Sequence, residues 1–215
     1  MRHLHLASST SDNSGCLSRT GCPAHKAHGY SMVEVLVSIV VLSFGLLGMV
    51  GMQASALKSN REARLQSSAV VLARELAEMI RGNRAVGVLP AATNPYLGSF
   101  STTPLAASTP FYCLSVGTAA CLDATKVANA QMTEWLARVD AELPSARVDV
   151  CYDSAPFAAN GLPRWACAAG SGGVIVVKIG WTRGSTDRSR TGSAALDPAS
   201  NSPAIVFPVT AGSAT

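Results

Sequence analysis

The stretch Gly29-Tyr30-Ser31-Met32-Val33-Glu34 stands directly before residues 35–53, a run without a single charged side chain. The next charge is Lys58. As a helix rising about 1.5 Å per residue, residues 35–57 extend roughly 35 Å, enough to cross a hydrocarbon core of about 30 Å with some tilt. The run is apolar on every face, whereas a core helix of a soluble domain shows an apolar stripe. Ala54-Ser55-Ala56 has the form of a signal-peptidase site, the rival reading. The apolar part of a signal peptide is only about 7 to 15 residues long, so the length here favours a retained span. Glu34 is the anomaly. A carboxylate at the bilayer centre costs on the order of 2.5 to 3.5 kcal/mol on insertion scales, and less near the rim. A simple anchor has no need of it, so its presence asks for a cationic partner.

Outside this stretch the composition excludes more than it identifies. The 215 residues leave room for one domain plus attachments. The net charge is +4, but Arg2, Asp12, Arg19 and Lys26 precede Tyr30, and the remainder carries fourteen basic and twelve acidic residues. A net +2 without a basic stripe is no footprint for nucleic acid. Flanking charge does not orient the span, because Arg19 and Lys26 precede it while Lys58, Arg61 and Arg64 follow. The cysteines orient it better. Cys113, Cys121, Cys151 and Cys167 are dispersed, unlike the close pairs of zinc sites, and predict disulfides in an oxidising compartment. Three connectivities are open, of which sequential pairing closes two short loops. A closed loop of about 15 residues contributes roughly 3 kcal/mol in the chain-entropy model.

The helical pattern continues past the span. Residues 59–83 contain no proline, and their only glycine is Gly82. Leu65, Leu72, Leu76, Met79 and Ile80 recur at helical spacing, while Arg61, Glu62, Arg64, Arg74, Glu75, Glu78 and Arg81 fill other faces. Gly82 and Asn83 supply a stop. The expectation is one helix of about 50 residues, some 75 to 80 Å long; the alternative is a span followed by a separate helix. Residues 85–112, rich in Pro, Ala, Ser and Thr, read as a long surface loop with room for a short irregular strand. A second helix is expected from the N-cap Asp123 to Leu143 before Pro144, burying Val127, Met132, Trp135, Leu136, Val139 and Leu143. Strands are expected at residues 146–152, 174–181 and 204–209, the last at an edge because of Pro208. Residues 184–203 read as a polar loop. The fold class is α+β, a long N-terminal helix packed against a small antiparallel sheet with a second short helix.

Little catalytic chemistry is on offer. His3, His5, His25 and His28 all precede Tyr30, so a chain beginning there has no histidine for nucleophilic pairs or metal ligation. Asp149 and Asp153 read as solvated turn acids rather than a dyad. Gly170-Ser171-Gly172-Gly173 precedes a strand and lacks the Lys-Ser/Thr ending of a phosphate loop, so it reads as a turn. Trp135 and Trp181 read as core aromatics. No catalytic residue, metal or cofactor is expected.

Taken together, residues 29–34 and the following span resemble the N-terminus of type IV pilins and of type II secretion pseudopilins. The resemblance implies a leader, residues 1–29, removed by a prepilin peptidase between Gly29 and Tyr30, with N-methylation of Tyr30. It also implies an assembly ion pair between Glu34 and the N-terminal amine of a neighbouring subunit. Tyr30 stands where Phe or Met is more usual, and the leader is long for the family. Residues 35–37, 40–48, 51–53 and 72–83 are similar to the PilV family of minor pilins. So are Gln131-Met132 with Trp135, Leu143-Pro144 with residues 148–151, and Val176-Val177-Lys178 leading to Trp181-Thr182. Residues 30–57 would then be a transmembrane helix, 58–84 its amphipathic periplasmic continuation, and 85–215 a disulfide-stapled α+β head. The implied role is a minor pilin in pilus assembly or priming, and so in twitching motility or adhesion. Its implied partners are other minor pilins, the major pilin, the prepilin peptidase and an inner-membrane assembly platform. The alternatives are a minor pseudopilin of type II secretion and an adhesin module displayed on a pilus.

Overall fold

The absence of proline and the uninterrupted apolar run produce a single 51-residue helix, α1 (Met32–Gly82), in the computed structural model. The structure describes residues 29–114, 120–168, 173–185, 187, 189–199 and 201–212. The four histidines, Cys16, Cys22 and the glycine turn at residues 170–172 lie outside them. Two compact units are present, Met1–Val50 and Gly51–Thr215. In the first, every described residue is exposed. One 18-residue window of α1 has a mean hydropathy of 2.5 and no buried side chain.

In the second unit α1 turns amphipathic. Ala69, Leu72, Ala73, Leu76, Ala77 and Ile80 are buried, at the three- and four-residue intervals of one helical stripe. Leu65 and Met79, expected on that stripe, are only partly buried at its margins. Three alanines supply half of the buried face, which a search for large apolar residues passes over. Asn83 ends the helix, its amide bonding to the Met79 carbonyl at 3.0 Å.

The 19-residue helix α3 (Ala124–Glu142) begins at Asp123, whose carboxylate accepts from the Lys126 amide at 2.8 Å. Met132, Trp135, Leu136, Val139 and Leu143 are buried, and Trp135 Nε1 donates to the Leu72 carbonyl of α1 at 3.0 Å. Val127 departs from expectation. It is half-buried because it borders an open groove with Gln131 and Glu78, and Ala128 takes the core position.

Four antiparallel strands complete the layer in the order β1-β2-β3-β6: β1 (Gly98–Phe100), β2 (Arg147–Asp153), β3 (Val174–Gly180) and β6 (Ile205–Val209). Val148, Val150, Ile175, Val177, Ile179, Ile205 and Val209 join the residues of α1 and α3 in one hydrophobic core. Pro208 sits on the edge strand β6, opposite Val176. The architecture is thus α+β, with a long N-terminal apolar helix and a small antiparallel sheet, as expected from the sequence.

Two segments read as loops carry more structure. Residues 85–112 carry the short strand that the sequence allows for, β1, but also include most of a short helix, α2 (Arg84–Gly87), and bury Val86, Tyr96, Phe100 and Leu105. Isolated apolar anchors in a Pro- and Ala-rich background have no period, so the sequence hides them. Residues 184–203 take part in a small hairpin of β4 (Arg183–Gly184) and β5 (Leu196–Asp197), joined through a 3-10 turn (Gly192–Ala195). Two-residue strands are too short for alternation to register.

Candidate functional site

In the first unit, Ser31 opens α1. Its carbonyl accepts from the amides of Glu34 at 2.9 Å and Val35 at 3.2 Å, and its hydroxyl lies 3.4 Å from the Val33 amide. Glu34 therefore falls in the first turn, where the free amides and the helix dipole favour negative charge. It is exposed, and among the described residues it makes no ion pair. Ser38 and Ser43 donate to the Glu34 and Ile39 carbonyls one turn back, each at 2.7 Å. Such internal bonds make the hydroxyls tolerable in an apolar surrounding. A shallow groove of about 440 Å³ follows the flank formed by Tyr30, Glu34, Ser38 and Leu42. Among the described residues, Gly29, Tyr30 and Glu34 thus lie at an exposed helix start, and the groove along Tyr30 and Glu34 holds no second carboxylate and no cation.

The second unit holds the other chemistry. One face of the sheet looks into the core; the opposite face carries Asp149, Cys151 and Asp153 on β2 with Val176 and Lys178 on β3. Residues 154–168 cross over that face as a strap. Lys178 and Asp153 are both fully buried beneath it and form an ion pair at 2.6 Å. Lys178 also donates to the Ala166 and Trp165 carbonyls, at 2.9 and 3.2 Å. The other carboxylate oxygen of Asp153 accepts from the amides of Ala155 and Ala168, at 2.9 and 3.0 Å. Burial pushes the Asp153 carboxyl upward, but the Lys178 bond, the two amide bonds and the Lys178 charge outweigh it and hold it below the usual carboxylate range. Asp149 is buried too and pairs with Arg147 at 2.9 Å. Neither aspartate is a solvated turn residue, contrary to the sequence reading, because the strap excludes water and each has acquired a cation.

Disulfides join Cys113 to Cys121 and Cys151 to Cys167. The second ties β2 to the end of the strap. Its sulfurs and an Asp153 oxygen lie within 4.8 Å of one another, a grouping that would suit a metal ion. Here both sulfurs are spent on each other and Asp153 is engaged by Lys178, so the donors are not free.

Sequence reasoning missed Lys178 and Trp165 as structural residues. Trp165 stacks over Arg147, 4.3 Å from ring centroid to guanidinium, and donates to the Ala199 carbonyl at 3.0 Å. Gly180 makes this possible, since a Cβ there would meet the ring at 2.7 Å. A lysine inside the β-branched run of residues 174–179 was the available signal. Tyr96 is a further buried polar group: its hydroxyl contacts the Gln131 side chain and the Met79 carbonyl. Burial, partly offset by the Asn83 side chain, raises its pKa to about 12.

Comparison with known families agrees with this geometry. Residues 51–136 match the family model described as Type IV pilin Tt1218, and residues 24–50 match the Prokaryotic N-terminal methylation motif. The two matches adjoin at residues 50 and 51. No curated protein and no solved structure matches the chain. Pilins are structural rather than enzymatic, and the apolar helix with its motif fits a membrane-anchored pilus component. Over residues 51–136 the chain is similar to the Type IV pilin Tt1218 family, and over residues 24–50 it carries the pattern of the Prokaryotic N-terminal methylation motif.

Proposed function

We propose that the protein is a minor pilin of the PilV type, which joins or primes a type IV pilus and so supports twitching motility or adhesion. In this reading a prepilin peptidase removes residues 1–29, cutting between Gly29 and Tyr30, and methylates the new amine of Tyr30. Residues 30–57 cross the inner membrane once, residues 58–84 continue the helix, and residues 85–215 form the head in the periplasm. An assembly platform then moves the subunit into a filament of major pilin and other minor pilins.

The observation that carries this reading is Glu34, an exposed carboxylate in the first turn of an exposed apolar helix and unpaired among the described residues. In an apolar surrounding such a group is costly unless an opposite charge meets it. Cleavage after Gly29 creates such a charge, four residues away on each neighbouring subunit. N-terminal analysis of protein extracted from membranes tests the processing: a methylated Tyr30 is expected, and a terminus at Leu57 would overturn it. Deleting the gene tests the system served. Loss of surface pili and twitching is expected, whereas lost exoprotein secretion with intact pili would assign the subunit to type II secretion.

A further inference from the structure

The strap over the outer sheet face is anchored on both sides of Cys167 by bonds other than the disulfide. Upstream, the Trp165 and Ala166 carbonyls accept from Lys178. Downstream, the Ala168 amide donates to Asp153, and its carbonyl accepts from the Ser154 amide and hydroxyl at 3.1 and 3.2 Å. Cys167 is therefore positioned by its neighbours' backbone, and its sulfur lies 3.8 Å from the Lys178 ammonium. The two cysteines differ in access: Cys167 is exposed, whereas Cys151 is half-buried within β2, opposite Val176. Among the described residues, the charged groups on this face are Lys178 and Asp153, then Asp149 with Arg147, and the strap itself carries Arg164, which donates to the Ala155 carbonyl.

Thiol–disulfide exchange requires a thiolate that an exogenous disulfide can reach, and a neighbouring cation raises the thiolate fraction. We propose that Cys167 is the thiol through which the head is oxidised, and that Cys151 is the resolving thiol. The Cys167 thiolate attacks one sulfur of an exogenous disulfide, breaking that bond and releasing one thiolate, which takes up a proton. Cys151, deprotonated, then attacks the Cys167 sulfur of the mixed disulfide, forming the Cys151–Cys167 bond and releasing the second thiolate. Two electrons pass from the cysteine pair to the exogenous disulfide, and the two protons end on the released thiols. The chemical class of partner is a disulfide, small or carried by an oxidant protein, that docks at the exposed end of the strap. Lys178 acts as a positioning residue with two roles: it holds the strap in place and its ammonium supports the Cys167 thiolate. The proposal does not depend on the chain being a minor pilin.

The test uses the full chain, reduced in detergent micelles and exposed to sub-stoichiometric oxidised glutathione. Samples quenched in acid are mapped peptide by peptide, so every cysteine is followed separately. Early samples should carry glutathione on Cys167 several-fold more than on Cys151. Cys151→Ser should trap a lasting adduct on Cys167. Glutathione appearing first on Cys151, or equally on both, would overturn the proposal. Lys178→Arg should keep the preference and Lys178→Met should reduce it at neutral pH. An unchanged rate at Cys167 in both variants would remove Lys178 from the account, and the unsubstituted chain decides the order of attack even where Lys178→Met fails to fold.

Discussion

Lys178 and Asp153 show how a side chain's meaning depends on what the fold brings to it. Both are fully buried, and each would be an uncompensated charge without the other. Breaking a buried pair from one side typically costs about 3 to 5 kcal/mol, whereas replacing both members with apolar groups of similar size is often neutral. Asp153→Ala should therefore lower the unfolding stability of the full chain in detergent by about that amount. Asp153→Leu combined with Lys178→Met should recover only the part of the loss that comes from the unpaired charge, because the Trp165 and Ala166 carbonyls and the Ala155 and Ala168 amides still lose their partners. Tryptophan fluorescence through a urea titration reads both. The pH dependence follows from the sign of the shift. The folded Asp153 pKa lies below its unfolded value of about 3.9, so its contribution is present above that pH and is lost as pH falls through the lower folded value. The urea midpoint should drop in that acid range, and less so in the double variant. Sequence alone gave Lys178 an odd place inside a β-branched run, but its partner lies 25 positions earlier on the neighbouring strand, and the strap that dries the pair has no pattern of its own.

The regular elements were legible where a period or a cap specifies them. The 3.6-residue period and the lack of proline gave α1 its extent, Gly82 and Asn83 its end, and Asp123 the start of α3. Asp123→Ala should destabilise the head by about 1 kcal/mol by freeing the Lys126 amide, and amide exchange in the first turn of α3 should quicken. Segments held by single anchors were not legible. Tyr96 and Phe100 look like any loop aromatics until the core closes over them. Within the apolar part of α1, Gly45, Gly48 and Gly51 weaken helix propensity by about 1 kcal/mol each relative to alanine, and none has an atom within 4 Å of where a Cβ would stand. Replacing all three with alanine should be accommodated sterically and should raise backbone protection across residues 45–51, measured by deuterium exchange on assembled filaments. Full protection there in the unsubstituted chain would show that the glycines do not loosen the helix.

The two units divide the work of the molecule. Among the described residues the buried core, the strap and both disulfides lie within Gly51–Thr215, whereas Met1–Val50 buries none of its described residues. Folding of the head and use of the N-terminal motif should therefore separate on mutation. Glu34→Ala leaves the core untouched and removes a charge that opposes membrane insertion, so the variant should accumulate in the membrane at normal level. Its head should unfold at the same urea concentration as the unsubstituted chain, and its amine at Tyr30 should still be formed. Under the proposed assembly pair, what it should lose is incorporation, because the amine of a neighbouring subunit would then meet no carboxylate. Glu34→Gln keeps the shape and a hydrogen-bond acceptor but not the charge, so it separates an ion pair from a polar contact: the pair requires both variants to be missing from sheared filaments. Filaments containing Glu34→Gln at normal abundance would assign Glu34 a hydrogen bond instead. Filaments containing both variants would leave the carboxylate without a role in assembly.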